Sequence, residues 1–194
     1  FYLRYSDRIG EVLRADEAPL YLPYRYRTNI ADAYTAGVEA VLELNVTRLA
    51  ALSPAWPVVR VLLNGAFTEG RYINSDDASV RNRYVELVPP YVVRTGMSME
   101  THGFRASFVL AFIGKQYSDA TNTEYSASAV TGAIPAYHVA DLSASYAFDR
   151  YRIEMSCNNL FDNRYFSRRA DAYPGPGIIP AEARSLSVTV QASF

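Results

Sequence analysis

Two groups of arginines carry the clearest chemistry in the chain. Arg71, Arg81 and Arg83 flank "YINSDDASV", and Arg168 and Arg169 stand side by side in "YFSRRADAYPG". A guanidinium is always charged, and its planar fork takes a carboxylate through two parallel hydrogen bonds. These segments therefore suit an anionic ligand rich in carboxylates. Tyr72, Tyr117, Tyr125 and Tyr173 lie in similar stretches and offer hydroxyls and flat contact surface. The competing expectation is that the arginines pair with nearby aspartates in water, where an ion pair is worth ~0–1 kcal/mol. Arg168 and Arg169 are the best candidates, because two consecutive like charges call for an anion or solvent. A second set of charges, Glu39, Glu43, Arg94, Glu100, Arg105, Arg152 and Glu154, falls at the polar positions of alternating segments and is expected to form a ladder of ion pairs on one wall.

Other chemistries are poorly supplied. His102 and His138 are the only histidines, neither has metal-ligand spacing, and neither stands beside a plausible nucleophile. No enzyme activity, metal centre or cofactor is expected. Cys157 is the single cysteine, so the chain has no intrachain disulfide. With 19 Lys plus Arg against 20 Asp plus Glu, scattered and not clustered, nucleic acid is not an expected partner.

The elements that must position these residues are strands. In the closing stretch "SLSVTVQASF", Leu186, Val188, Val190, Ala192 and Phe194 alternate with Ser185, Ser187, Thr189, Gln191 and Ser193, giving one apolar face and one hydroxylated face. The same period recurs at 33–47, 104–113, 137–148 and 151–158, with weaker copies near 1–14, 58–70 and 85–98. That predicts eight strands and no helix. Connections near 15–27, 71–84, 116–136 and 161–182 are long, those at 99–103 and 148–150 are tight, and 48–57 is intermediate. Long and short links alternate, as in an up-and-down antiparallel sheet with loops at one end and turns at the other.

No run approaches the ~20 apolar residues of a membrane helix. Contact with a membrane is expected through strands. A soluble barrel would turn its apolar face inward and show Lys and Glu outside, whereas here the polar face holds Ser, Thr, Asn, Gln and balanced Arg and Glu. Phe104 and Phe112, eight residues apart on one face, would span ~27 Å along a strand and ~20 Å along the membrane normal at ~40° tilt. Tyr91, Tyr146, Phe148 and Phe194 are expected to form the aromatic ring at the turn end. Eight strands make a small closed barrel whose interior must be filled by side chains, and Gly37, Gly96, Ser143, Ser145 and Ser187 would fill it poorly. An open sheet in lipid leaves unpaired edges. Further strands are implied.

"CNNLFDNRYF" followed by "YPGPGIIPAEARSLSVTVQASF" resembles the carboxy-terminal signature of TonB-dependent outer-membrane receptors, through Asn159, Leu160, Phe161, Asp162, Tyr165, Arg184 and Phe194. "GKQYSDATNTEYSASAVTGAIPAYHVADLSASYAF" and "DAYTAGVEAVLELN" are similar to the ferric-dicitrate branch. The resemblance implies an all-β, antiparallel transmembrane β-barrel, of which residues 1–194 would be about the last eight of roughly 22 strands, the plug domain and earlier strands lying elsewhere. It implies uptake of a ferric carboxylate chelate in the outer membrane of a Gram-negative bacterium. The partners implied are the ferric chelate, TonB through the plug, outer-membrane lipid and lipopolysaccharide, and the barrel assembly machinery that reads the terminal aromatic. The alternative is a small complete eight-stranded barrel serving as an anchor or adhesin, whose first strand would pair with its last.

Overall fold

The structure, a computed structural model, describes residues 1–15, 19, 23–170 and 175–193. In chain order the elements are β1 (Tyr2–Ala15), β2 (Pro23–Asn45), the one-turn helix α1 (Val46–Leu49), β3 (Val58–Ile73), β4 (Tyr91–Thr101), β5 (Phe104–Ile113), β6 (Gln116–Tyr117), β7 (Ala133–Ile134), β8 (Tyr137–Phe148), β9 (Tyr151–Asn158), β10 (Phe166–Ala170), β11 (Gly177–Pro180) and β12 (Ser185–Ala192). Eight of them form one antiparallel sheet in the order β1-β2-β3-β4-β5-β8-β9-β12. Hairpins β6-β7 and β10-β11 stand within two of the long connections. At the edges of the sheet, β1 pairs with β2 and β12 with β9, so the described strands do not close on one another.

The pairing register assigns each side chain to a face. Leu44, Val61, Met97, Phe108, Leu142, Cys157 and Leu186 form one row across seven strands. The neighbouring row, on the opposite face, is Asn45, Arg60, Ser98, Ser107, Ser143, Ser156 and Ser187. Alternation at the level of sequence thus becomes segregation at the level of the sheet. The apolar side is bare: Leu186, Val188 and Val190 are 79%, 62% and 67% exposed. A soluble barrel would bury them. At the turn end of the apolar face Tyr146 stacks on Phe148 and Tyr151 packs tilted against Phe148, with ring centroids 5.7 Å apart in each pair.

The tight turns follow from their residues. Thr101 faces Phe104, leaving His102 at φ 41° and Gly103 at φ 80° as the two turn residues. Left-handed conformation at both positions is the twist that a two-residue hairpin needs. A Cβ on Gly103 would stand 2.4 Å from the Ala147 carbonyl, so this site is closed to other residues.

Several expectations are corrected. The hairpin β1-β2 runs on to Ala15 and Pro23, so the predicted link 15–27 shrinks to 16–22 and β2 reaches 23 residues. Strand β4 begins at Tyr91, not near 85: Pro89 and Pro90 cannot donate to a ladder, and Val85 is drawn instead into the core beneath the loops. Tyr91 opposes Phe67 and Val92 opposes Ile113, which puts Tyr91 at the loop end and not in the ring at the turn end. The predicted absence of helix gives way to α1, whose first turn is capped by Asn45 Oδ1 accepting from the Arg48 N–H at 2.9 Å. Phe194, expected in the aromatic ring, lies outside the described residues.

The buried core does not sit in the middle of the sheet. Val12, Ala31, Ala33 and Tyr72 on the sheet pack with Val80 and Val85 from the β3-β4 connection and Ala120 from the β5-β8 connection. The long connections therefore fold down onto the sheet and position what they carry.

Candidate functional site: the polar wall and the loops above it

On the polar face the charged and hydroxylated rows lie side by side. Glu100 on β4 accepts from Arg105 of β5 at 3.1 Å and pairs with Arg60 of β3 at 3.5 Å; Arg152 and Glu154 of β9 pair at 3.6 Å. The serine row is bonded strand to strand, Ser107 with Ser143 at 2.8 Å and Ser156 with Ser187 at 2.6 Å. Small hydroxyls on five adjacent strands keep this wall shallow. A recess of about 310 Å³ opens in it, lined by Glu43, Arg60, Ser98, Met99, Glu100 and Arg105. Glu39 and Arg94 share the polar face, opposite Ala66 and Asn64, and with Glu43 they join no ion pair among the described residues. The serine row exists only once register is known; in the sequence each of its members shows only as a polar position of its own strand.

Above the wall, the structure separates the candidate ligand residues. Arg71 donates to Glu69 at 2.7 Å and to the Asn82 carbonyl at 3.0 Å, with its guanidinium 4.2 Å from the Tyr84 ring centroid. Arg81 holds the Ser75 carbonyl through Nε and Nη2, and Arg83 reaches the Ser79 carbonyl at 3.3 Å. These contacts staple the β3-β4 connection to itself. Tyr72 is fully buried and donates to Glu86 at 2.5 Å, so its hydroxyl faces no ligand. Tyr117 stacks on Tyr84 and donates to Glu124 at 2.9 Å, while Tyr125 is 81% exposed. Tyr173 lies outside the described residues.

The adjacent arginines also part company. They alternate along β10, whose residues pair with β11 as Arg168 to Ile179 and Arg169 to Ile178. Arg169 donates to the carbonyls of Ala129 at 2.7 Å and Ala133 at 2.8 Å, which locks the β10-β11 hairpin onto the β5-β8 connection. Burial lowers its pKa from the ordinary arginine value, and the Asp119 charge works the other way. Arg168 is exposed, and its guanidinium makes no hydrogen bond or ion pair among the described residues. Only Arg168 of the pair keeps a guanidinium available. Nearby, Glu124 accepts from Lys115 at 2.7 and 2.8 Å, and these bonds, with that from Tyr117, lower its pKa below the ordinary 4.5.

The motif residues form a knot at the loop end of β8, β9 and β12. Asn159, 3% exposed at φ 50°, donates through Nδ2 to the carbonyls of Asn163 and Glu182 and accepts at Oδ1 from the Asn163 N–H. Its own N–H donates to Asp141 at 2.9 Å. Leu160 N–H donates to the Ala140 carbonyl at 2.7 Å. Asp162 accepts from the Arg184 N–H at 3.0 Å, and Arg184 reaches back to the Leu160 carbonyl at 3.4 Å. Tyr165 stacks on Tyr137 with centroids 4.4 Å apart, whereas Phe161 is exposed. The knot fixes where β12 starts.

Comparison with known proteins places this architecture. The family model described as "TonB dependent receptor-like, beta-barrel" matches residues 1–160. The metal-pseudopaline receptor CntO of Pseudomonas aeruginosa is 27% identical over 94 residues, covering 48% of this chain and 12% of that protein. The ferric citrate transporter FecA superposes with a TM-score of 0.72 at 20% identity over 84% of this chain and 24% of its own. The copper transporter OprC gives 0.70 at 17% identity, over 100% and 28%. The chain thus spans an eighth to about a quarter of the length of these relatives.

Proposed function

The chain belongs to the TonB-dependent receptor-like β-barrel family, and from that membership we propose that it forms the carboxy-terminal wall of an outer-membrane receptor taking up a ferric carboxylate chelate. In this reading the sheet supplies about the last eight of roughly 22 strands, its apolar face meets lipid, and its polar wall surrounds a plug through which TonB delivers energy. The observation that carries it is the open eight-stranded sheet with a bare apolar face and a hydroxylated, ion-paired opposite face. A small self-closed barrel would need β1 against β12, and the described strands are not so paired. Lipopolysaccharide and the assembly machinery remain partners of this proposal.

The choice of a carboxylate chelate rests on the likeness to FecA and on the free guanidinium of Arg168. CntO and OprC, named for other metal cargoes, show how far ligands vary over one barrel. The test uses the full-length receptor and ferric citrate in calorimetry. Hydrogen bonds to charged groups contribute ~1.5–3 kcal/mol, so Arg168→Ala is expected to weaken binding by about tenfold or more. Unchanged affinity removes Arg168 from the site. Wild type that ignores ferric citrate yet binds another metal chelate overturns the carboxylate assignment and leaves the receptor reading intact.

A further inference from the structure

The connection 46–57 has a feature that the uptake function does not use. Most of its side chains are exposed and apolar: Leu49 is 75% exposed, Trp56 60% and Leu52 42%, and Arg48 is its one charged residue. The other two connections at this end, His102–Gly103 and Asp149–Arg150, are tight and polar. A twelve-residue apolar link is not needed to join two antiparallel strands, since two residues suffice.

Its backbone is nonetheless partly bonded to itself. Ala50, Ala51, Leu52 and Trp56 N–H groups donate to the carbonyls of Val46, Arg48, Thr47 and Ser53. Thr47 is buried and binds both limbs, donating to the Pro57 carbonyl at 2.7 Å and accepting from the Val59 N–H at 2.8 Å. A segment that bonds part of its backbone internally and turns its apolar side chains out has the make-up of a polypeptide lying in the membrane interface, where water and headgroups meet the remaining amides. Its position agrees. From Phe67 to Val58 along β3 is nine residues, ~30 Å, or ~23 Å along the normal at ~40° tilt, close to the ~25 Å apolar band of a membrane barrel. Trp56 lies just past the lower limit of that band, where tryptophan concentrates, and Arg48 can extend its charge to anionic headgroups.

We propose that residues 46–57 are an interfacial anchor, with Leu49, Leu52 and Trp56 seated in the lipid of the periplasmic leaflet. The chain enters this link from Leu42 and Leu44, exposed on the apolar face of β2, and that continuity with the lipid-facing surface selects lipid over a protein as its occupant.

The experiment places the full-length receptor in phosphatidylethanolamine–phosphatidylglycerol vesicles and takes the difference in emission between wild type and Trp56→Phe, which isolates this indole. Expected are blue-shifted emission and quenching several-fold stronger by lipids brominated near the glycerol end of the acyl chain than by aqueous iodide. In Thr47→Val, which keeps every apolar side chain of the link and unties its limbs, the lipid quenching falls. Emission of a water-exposed indole, quenched by iodide and untouched by brominated lipid, overturns the anchor. So does an indole reached by neither quencher, which would mean that protein covers the patch.

Discussion

Replacing Asn159 by alanine tests whether the motif knot positions the last strand. The side chain makes three hydrogen bonds, two donated to the carbonyls of Asn163 and Glu182 and one accepted from the Asn163 N–H, at 3.0–3.1 Å and almost out of solvent. At ~1 kcal/mol each, their loss costs about 3 kcal/mol. The backbone adds to this, because Asn159 sits at φ 50° and alanine pays ~1 kcal/mol or more there. The sum, ~4 kcal/mol, corresponds to local opening more frequent by two to three powers of ten. Hydrogen exchange on the full-length receptor reads it at the amides of Asn163 and Arg184. Asn159→Gly loses the same three bonds without the strain, so its exchange should fall several-fold short of that in Asn159→Ala. Acceleration of less than tenfold in the alanine variant would refute the reasoning, and equal rates in the two variants would refute the share assigned to strain.

Tyr72→Phe removes the hydroxyl bonded to Glu86 while preserving the ring packed among Ala33, Val80 and Val85. It should loosen the β3-β4 connection by ~1–2 kcal/mol, seen as faster proteolysis between residues 74 and 90 with the sheet's circular dichroism unchanged. Glu124 has its pKa lowered by bonds from Lys115 and Tyr117. The stabilisation is therefore fully present above the ordinary value of 4.5 and is lost as pH falls through the lowered one. Protease resistance of residues 118–131 should be flat from neutral pH down to about 5 and decline below that, and Glu124→Gln should remove the step.

The frame was legible because one face of every strand differs in kind from the other. Register needs only that contrast, so Leu186 and Ser187 declared their faces without any structure. The ends of the strands were less legible. β2 keeps pairing to Pro23 because β1 runs alongside it as far as Ala15, and no local signal at Arg27 announces that. The loops were least legible. Arg169 looked like half of a cationic pair, yet its partners are the carbonyls of Ala129 and Ala133, some forty residues away, and a main-chain oxygen leaves no trace in composition. Tyr72 read as a contact residue for the same reason: Val80 and Val85 bury it from outside its own strand. The residues of the motif were visible, and their work, bonding Glu182 and Arg184 back to Asn159 and Asp162, was not.

The edges of the sheet set a condition on everything proposed for it. Strand β12 pairs with β9 along one side only, and of its eight residues about half direct N–H and C=O groups to the other side. That is roughly four donors and four acceptors facing out. Within hydrocarbon each unmet group costs several kcal/mol, so this edge alone exceeds the ~5–15 kcal/mol by which a folded domain is stable. Water satisfies such an edge and lipid cannot. It follows that residues 1–194 expressed alone should stay out of bilayers, or enter them only as assemblies in which β12 pairs with another chain, whereas the full-length receptor inserts as a monomer. Heat-modifiable mobility on gels, measured for both after mixing with the same vesicles, separates the cases. A monomeric, protease-resistant, membrane-inserted product from residues 1–194 would show that β1 and β12 can meet after all, and the wall of a larger barrel would have to be given up for a closed one of eight strands.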